Sequence, residues 1–222
     1  NNDLQFTKGW FSKILEASLL FPIKIIELAI AYKIKCFINT DSYFNKDHFS
    51  YNYLLDYSLS KKSLLIWLKN LSKEIQIVNV VLEHIYGEED NDSKFVENMI
   101  QTIAIKQDKS VDLTYGHQRR DFIYIADVID AYIKIINFSL SNKFSFKTFN
   151  VGTGIAYEIK YFIEKIKQLS NSTKQLNFGK ISYKSDEIME SKTDIYELQN
   201  LGWRVDTTIE GGIQNIINIY RN

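Results

Sequence analysis

Tyr57 and Lys61 stand four residues apart in a stretch that reads as the start of a helix, so both side chains leave one face. An ammonium beside a phenol favours phenolate, and is expected to draw the tyrosine down from its ordinary value of about 10 until it can exchange a proton with a substrate oxygen. That is the proton half of a carbonyl reduction. The spacing alone weighs little, because 14 tyrosines in a lysine-rich chain produce it on solvated helix faces by accident. A hydroxyl supplies what the pair lacks. The run Lys35-Cys36-Phe37-Ile38-Asn39 is apolar and ends in Thr40-Asp41-Ser42, at the distance needed to bring a hydroxyl and Tyr57 to one crevice. A buried parallel strand ending there opens its C-terminal edge, where open α/β sheets bind ligands.

The elements that must position these groups follow from periodicity. Ile14, Leu15, Ala17, Phe21, Ile25 and Leu28 keep a helical period over 10–32, with Pro22 near a start or kink. A strand over 35–40, a polar loop over 41–56, a helix over 58–71 and a buried strand over 75–82 follow, closed by Tyr86-Gly87. Beyond an acidic loop come a helix over 94–106, a short strand over 111–114, a strand-like stretch over 120–125 and a helix over 126–138. A strand over 149–152 and a helix over 157–169 complete the alternation. It specifies an α/β fold with a doubly wound parallel, Rossmann-like sheet and right-handed crossovers.

Lysine plus arginine and aspartate plus glutamate both number 27, so no net field attracts nucleic acid or an anionic membrane surface. The lone Cys36 excludes a disulfide framework and fits a buried strand thiol in a reducing compartment. The most lipophilic stretch, 14–32, is broken by Glu16, Lys24 and Glu27, so no membrane span or signal peptide is expected, and the chain reads as soluble and cytoplasmic. Three histidines and scattered acids show no metal-ligand spacing, and no metal is expected. No methionine opens Asn1-Asn2-Asp3-Leu4, which points to N-terminal truncation.

Several motifs recur in a fixed order. Ile38-Asn39-Thr40-Asp41-Ser42 and Tyr57-Ser58-Leu59-Ser60-Lys61 are followed by Leu82-Glu83-His84-Ile85-Tyr86-Gly87 and by Gly116-His117-Gln118-Arg119-Arg120-Asp121-Phe122-Ile123-Tyr124. Phe149-Asn150-Val151-Gly152-Thr153-Gly154 and Leu201-Gly202-Trp203-Arg204 complete the series. In this order the chain resembles the extended short-chain dehydrogenases/reductases, the NAD-dependent epimerase/dehydratase family. The resemblance implies Thr40, Tyr57 and Lys61 as catalytic residues, with Tyr57, Lys61, Leu82 and His84 near a cofactor that is NADP or NAD, NADPH slightly favoured. It implies a nucleotide-diphosphate sugar as substrate, met by Asp41, Ser42, His84, Lys94, Phe95, Arg120 and Lys184. Arg120 offers the diphosphate a two-pronged guanidinium. Lys184 stands where relatives often carry a second arginine. His84 replaces an asparagine that touches substrate, and reads equally as a structural histidine.

The family's Gly-rich phosphate loop is expected to precede residue 1, since Gly152-Thr153-Gly154 comes too late and reads as a turn at a strand end. The resemblance further implies that 1–87 and 119–153 form the C-terminal part of the cofactor domain, and 88–118 and 154–222 a smaller C-terminal substrate domain. A homodimer through the helices 10–32 and 58–71 is implied as well. Dehydratases of the family carry aspartate and glutamate after the threonine; here Ser42 takes the glutamate's place, which argues against elimination. Asn39-Thr40-Asp41-Ser42, Leu82-Glu83-His84, Asp92-Ser93-Lys94-Phe95 and Glu187-Ile188-Met189 are most similar to the CDP-abequose and paratose synthase branch. That branch reduces the C4 ketone of a CDP-linked 4-keto-3,6-dideoxyhexose for surface polysaccharide, the O-antigen of lipopolysaccharide. The alternatives are a 4-epimerase of the same family and a catalytically inactive nucleotide-sugar-binding fragment.

Overall fold

The first apolar run forms helix in three joined pieces: α1 (Trp10–Leu15), a π-helical turn (Glu16–Leu20) and α2 (Phe21–Ala31). Pro22 explains the wide turn. It has no N–H to give to the carbonyl four residues back, so the ladder shifts register just before it, and the Phe21 N–H bonds the Glu16 carbonyl. The computed structural model describes residues 10–45, 55–184 and 187–221.

The chain continues through β1 (Cys36–Ser42), a 3-10 turn (Tyr43–Asn45), α3 (Leu55–Leu71), β2 (Gln76–Leu82), β3 (His84–Tyr86), α4 (Phe95–Ile100) and a second π turn (Gln101–Ile105). Then come β4 (Ser110–Leu113), β5 (Arg119–Arg120), β6 (Phe122–Tyr124), α5 (Ile125–Ser141), β7 (Phe146–Val151), β8 (Tyr157–Glu158) and α6 (Ile159–Ser170). β9 (Gln175–Phe178), β10 (Glu190–Ser191), α7 (Tyr196–Gln199) and α8 (Ile209–Arg221) close it. This is the α/β alternation read from the sequence. β3 pairs β6, β4 pairs β9 and β5 pairs β10, each in parallel. Elements from β9 onward lie beyond the last helix that periodicity assigned.

The chain forms two compact units. The first takes the described residues up to Val81 together with Ser139–Thr148. Its strands run in the order β1-β2-β7. Ile77, Val78 and Val80 of β2 are fully buried, as a strand covered on both faces requires. Leu64 and Leu68, one turn apart on α3, close a core with Ile26, Ile75 and Ile77, against which Leu19, Ile23, Phe37 and Phe146 pack.

The second unit runs from Leu82 to Phe138 and from Phe149 onward. Its core is aromatic at the centre: Phe122 stacks on Phe162 at 4.2 Å, and Tyr86 meets the Phe162 ring edge-on at 5.5 Å. α6 contributes Ile159, Phe162, Ile163 and Ile166, and α8 contributes Ile209, Ile213, Ile216 and Ile217, each set at helical spacing. Burial of each such side chain stabilises by about 1.5–3 kcal/mol. α8 comes close because Gly212 has no side chain: a Cβ there would lie 2.3 Å from the Tyr86 hydroxyl. No described helix is long and apolar enough to cross a membrane.

Candidate active site

In the first unit β1 delivers Thr40 to its C-terminal end as an exposed residue between two buried ones, Asn39 and Asp41, as strand alternation dictates. α3 brings Tyr57 and Lys61 onto one face. The Lys61 ammonium donates to the Thr40 carbonyl at 2.8 Å and lies 5.8 Å from the centre of the Tyr57 ring. Thr40, Tyr57 and Lys61 are thus brought together, with Asp41 and Ser42 beside them. The Ser42 hydroxyl accepts the Phe44 N–H at 3.4 Å, which turns the chain out of the strand.

The electrostatics correct one expectation. Tyr57 is not drawn down by Lys61; burial first, and the Asp41 carboxylate second, push it above the ordinary tyrosine range. Desolvation pulls Lys61 down while Asp41 acts in the opposite sense. The Lys61 ammonium is held by the Thr40 carbonyl 5.8 Å from the ring centre, and the charge that displaces the phenol, among the described residues, is the Asp41 carboxylate. A phenol in this state keeps its proton at neutral pH.

In the second unit β3 carries His84, whose ring meets Phe122 edge-on at 5.8 Å; its Nδ1 lies 3.9 Å from the carboxylate of Glu83. Phe95, the first residue of α4, stacks over the same Phe122 at 6.5 Å, so His84 and Phe95 share a neighbour. Lys94 precedes α4 and is exposed, its ammonium 2.8 Å from Asp90. Leu82 ends β2.

Arg120 is 6% exposed. It donates through Nη2 to Glu187 at 2.7 Å and through Nη1 to the Arg119 carbonyl at 2.9 Å. The Glu187 N–H bonds the carbonyl of Lys184 at 3.2 Å. Arg119 points elsewhere, donating to the Ala156 carbonyl and standing 3.8 Å from Glu190 in an exposed ion pair.

Sequence reading missed the groups that organise these sites. Asn39, Asn45 and Asn79 surround Asp41, and each is at least nine-tenths buried. An asparagine inside the apolar run Ile77-Val78-Asn79-Val80 was the available signal, because a buried amide demands partners. Asp121, buried completely, accepts the backbone N–H groups of Thr153 (2.7 Å) and Gly154 (2.9 Å) and the Thr153 hydroxyl (2.7 Å). Asp127 accepts the N–H groups of Asp206 and Thr207, while its carbonyl takes the Trp203 indole N–H. Asp121 and Asp127 therefore tie distant stretches of the second unit together. Among the described residues no group of three His, Cys, Asp or Glu side chains is placed to hold a metal ion.

Comparison with known proteins agrees with this architecture. Residues 12–152 match the model of the NAD dependent epimerase/dehydratase family. CDP-abequose synthase of Salmonella muenchen is 35% identical over 211 residues, covering 94% of this chain and 71% of that protein. Among solved structures, UDP-glucose 4-epimerase of Thermotoga maritima with UDP-glucose superposes with a TM-score of 0.80 at 18% identity, over 96% of this chain and 72% of that one. RMD of Pseudomonas aeruginosa complexed with NADPH gives 0.78 at 17% identity, over 94% and 74%.

Proposed function

Because the chain belongs to the NAD dependent epimerase/dehydratase family, we propose that it reduces the C4 ketone of a nucleotide-linked, CDP-borne 4-keto-3,6-dideoxyhexose with NADPH or NADH. The observation that supports the reaction type is geometric: the Tyr57 phenol stands beside an ammonium anchored to the Thr40 carbonyl at the end of β1, and burial keeps that phenol in the protonated form a reduction draws on. A reduction ends with a proton delivered to a new alkoxide, whereas an epimerisation must begin by removing one. The likeness to CDP-abequose synthase supports the sugar and the base.

The residues present suit a nicotinamide ribose. Among the described contacts one of the three Lys61 N–H donors goes to Thr40, leaving two for a pair of ribose hydroxyls. The cofactor, when bound, supplies the hydride. Thr40 donates its hydroxyl to the substrate carbonyl oxygen as negative charge builds there, and Tyr57 delivers the proton. Ser42 and His84 meet the sugar, and Lys94, Phe95, Arg120 and Lys184 the nucleotide diphosphate. Arg120 retains three N–H donors beyond those it gives to Glu187 and the Arg119 carbonyl, among the described contacts.

In this reading 1–87 and 119–153 serve the cofactor and 88–118 and 154–222 the nucleotide sugar. A second copy of the chain packs on the helices of 10–32 and 58–71, a pairing supported by the exposed Phe21, Leu28, Ile66 and Trp67. The test is to supply the protein with the CDP-linked 4-keto sugar and follow oxidation of NADPH, then NADH. Stoichiometric oxidation with a C4 alcohol as product is expected. An isomerised sugar with no net oxidation would replace the reductase by an epimerase.

A further inference from the structure

The strand end that carries Thr40 is held by a buried network to which the reaction above gives no role. Asp41 is 4% exposed. Its Oδ2 accepts the side-chain N–H groups of Asn45 at 2.9 Å and Asn79 at 3.1 Å, and its Oδ1 accepts the Ser42 N–H at 2.9 Å. Asn79 in turn accepts from Asn39 at 2.6 Å. Four side chains from β1, the 3-10 turn and β2 thus form one hydrogen-bonded set. Three N–H donors on two oxygens match an acceptor-only carboxylate, and every one of them is neutral. An arginine in their place would hold the group equally well but would cancel its charge.

We propose that Asp41 is a positioning residue for the proton transfer and not a second acid: through the asparagine network it fixes the end of β1, where the Thr40 carbonyl holds the Lys61 ammonium beside Tyr57. Asp41 acts here through Tyr57 as proton donor, and so depends on the function proposed above. Its uncancelled charge reaches both groups, raising the phenol and opposing the desolvation of the lysine. In a water-poor surrounding such a field is stronger than at a surface. Among the described residues, the charges that face Tyr57 are Asp41 from β1 and Lys61 from α3 itself. Lys13, Glu16, Lys24, Glu27 and Tyr43, on the helices and turns packed against α3, do not contribute to its displacement.

Asp41→Asn tests this with the fold kept, because the Asn45 side-chain oxygen has no partner among the described residues and can accept from the new amide once Asn45 turns over. Tyrosine-ring ¹³C NMR on the unliganded protein, assigned with Tyr57→Phe, follows the phenol without needing turnover. Tyr57 is expected to titrate at lower pH in Asp41→Asn than in the wild type. The kcat should fall about tenfold with KM for the nucleotide sugar unchanged, and the high-pH limb of kcat should move down with the phenol. An unmoved Tyr57 titration overturns the inference. So does a fall in kcat beyond about a thousandfold, the size of losing a proton donor outright. Should Asp41→Asn fail to fold, Asn45→Ala removes one donor and leaves the charge; a lowered kcat at unchanged KM is expected, and an unchanged kcat overturns it. A wild type that reduces nothing would sink the proposed function instead, and leaves the NMR arm to decide on Asp41.

Discussion

Each unit buries an aspartate and raises a tyrosine, and the two units use them differently. Asp41 is held chiefly by side-chain amides, those of Asn45 and Asn79, with one backbone N–H from its neighbour Ser42, and Tyr57, on which it acts, is partly buried. Asp121 is held chiefly by backbone N–H groups, those of Thr153 and Gly154, with the Thr153 hydroxyl beside them, and Tyr86 is sealed at 1% exposure. Backbone donors come from wherever the chain passes, so a carboxylate that collects them fixes the path of the chain. Side-chain donors are placed one residue at a time and leave a charge free to act on a neighbour. A proton on Tyr57 can reach a ligand, whereas one on Tyr86 only marks how dry its surroundings are. The comparison separates a carboxylate that conditions chemistry from one that builds architecture.

The sharpest way to break that distinction is to remove each centre in turn. Tyr57→Phe should lower kcat about 10²–10⁴-fold, the usual worth of a general acid, with the urea midpoint of unfolding unchanged. Retained turnover would take Tyr57 out of the reaction. Asp121→Ala should do the reverse at the level of stability, costing about 3 kcal/mol or more, because at least two N–H donors lose a buried partner at once. Denaturant titration measures it, and a cost below about 1 kcal/mol would mean that the 152–154 turn holds without the carboxylate. Burial, despite these donors, keeps Asp121 above the usual carboxylate range, with Glu83 adding to the effect.

How much of this was legible from residues alone divides along the same line. The helix and strand alternation as far as Ser170, and the grouping of Thr40, Tyr57 and Lys61, follow from periodicity and from where a strand must end. The direction of the Tyr57 displacement does not, because it depends first on burial and then on the Asp41 charge, neither of which four-residue spacing can express. Arg120 was readable as an anion ligand, but its bond to Glu187 spans 67 residues of sequence and has no local signature. α8 was within reach: Ile209, Ile213, Ile216 and Ile217 keep a clean helical period after Thr207-Thr208. The glycine pair inside it, Gly211-Gly212, hides the pattern because glycine weakens a helix assignment. One of those glycines is there for packing, as its approach to Tyr86 makes plain.

Gly212→Ala therefore sharpens the comparison at the architectural end. A Cβ at 2.3 Å from the Tyr86 hydroxyl and 2.8 Å from two ring carbons forces the helix or the ring to move, which should cost about 1–3 kcal/mol and leave the Tyr57 titration where it is. Tyr86→Phe in the same chain removes the closest atom but not the ring, so it should recover only part of the loss. Full recovery would place the whole conflict on the hydroxyl; none would place it on the ring. The double-mutant cycle reads the difference directly.

The smallest effect expected is the dependence of stability on alkaline pH, and it too contrasts the two tyrosines. Burial, followed by Asp127, Tyr124, Glu210 and Glu88, pushes the Tyr86 phenol far up. A folded-state value above the unfolded one means that the unfolded chain gives up its proton first. Tyr86 thus contributes stability that is fully present below about pH 10, the unfolded value, and is lost as pH rises toward and through the folded value. Each displaced phenol can add a slope of at most about 1.4 kcal/mol per pH unit over that window. Tyr86→Phe should flatten the decline of the urea midpoint above about pH 10 by nearly that much. Tyr57→Phe should flatten it less, since that phenol is only partly buried and solvent screens it. Tyr124, Tyr161 and Tyr220, also raised, supply the slope that remains. If the Tyr57 variant flattened the curve more than the Tyr86 variant, the drier of the two sites would be the one beside Thr40, and the division between a chemical and an architectural unit would have to be redrawn.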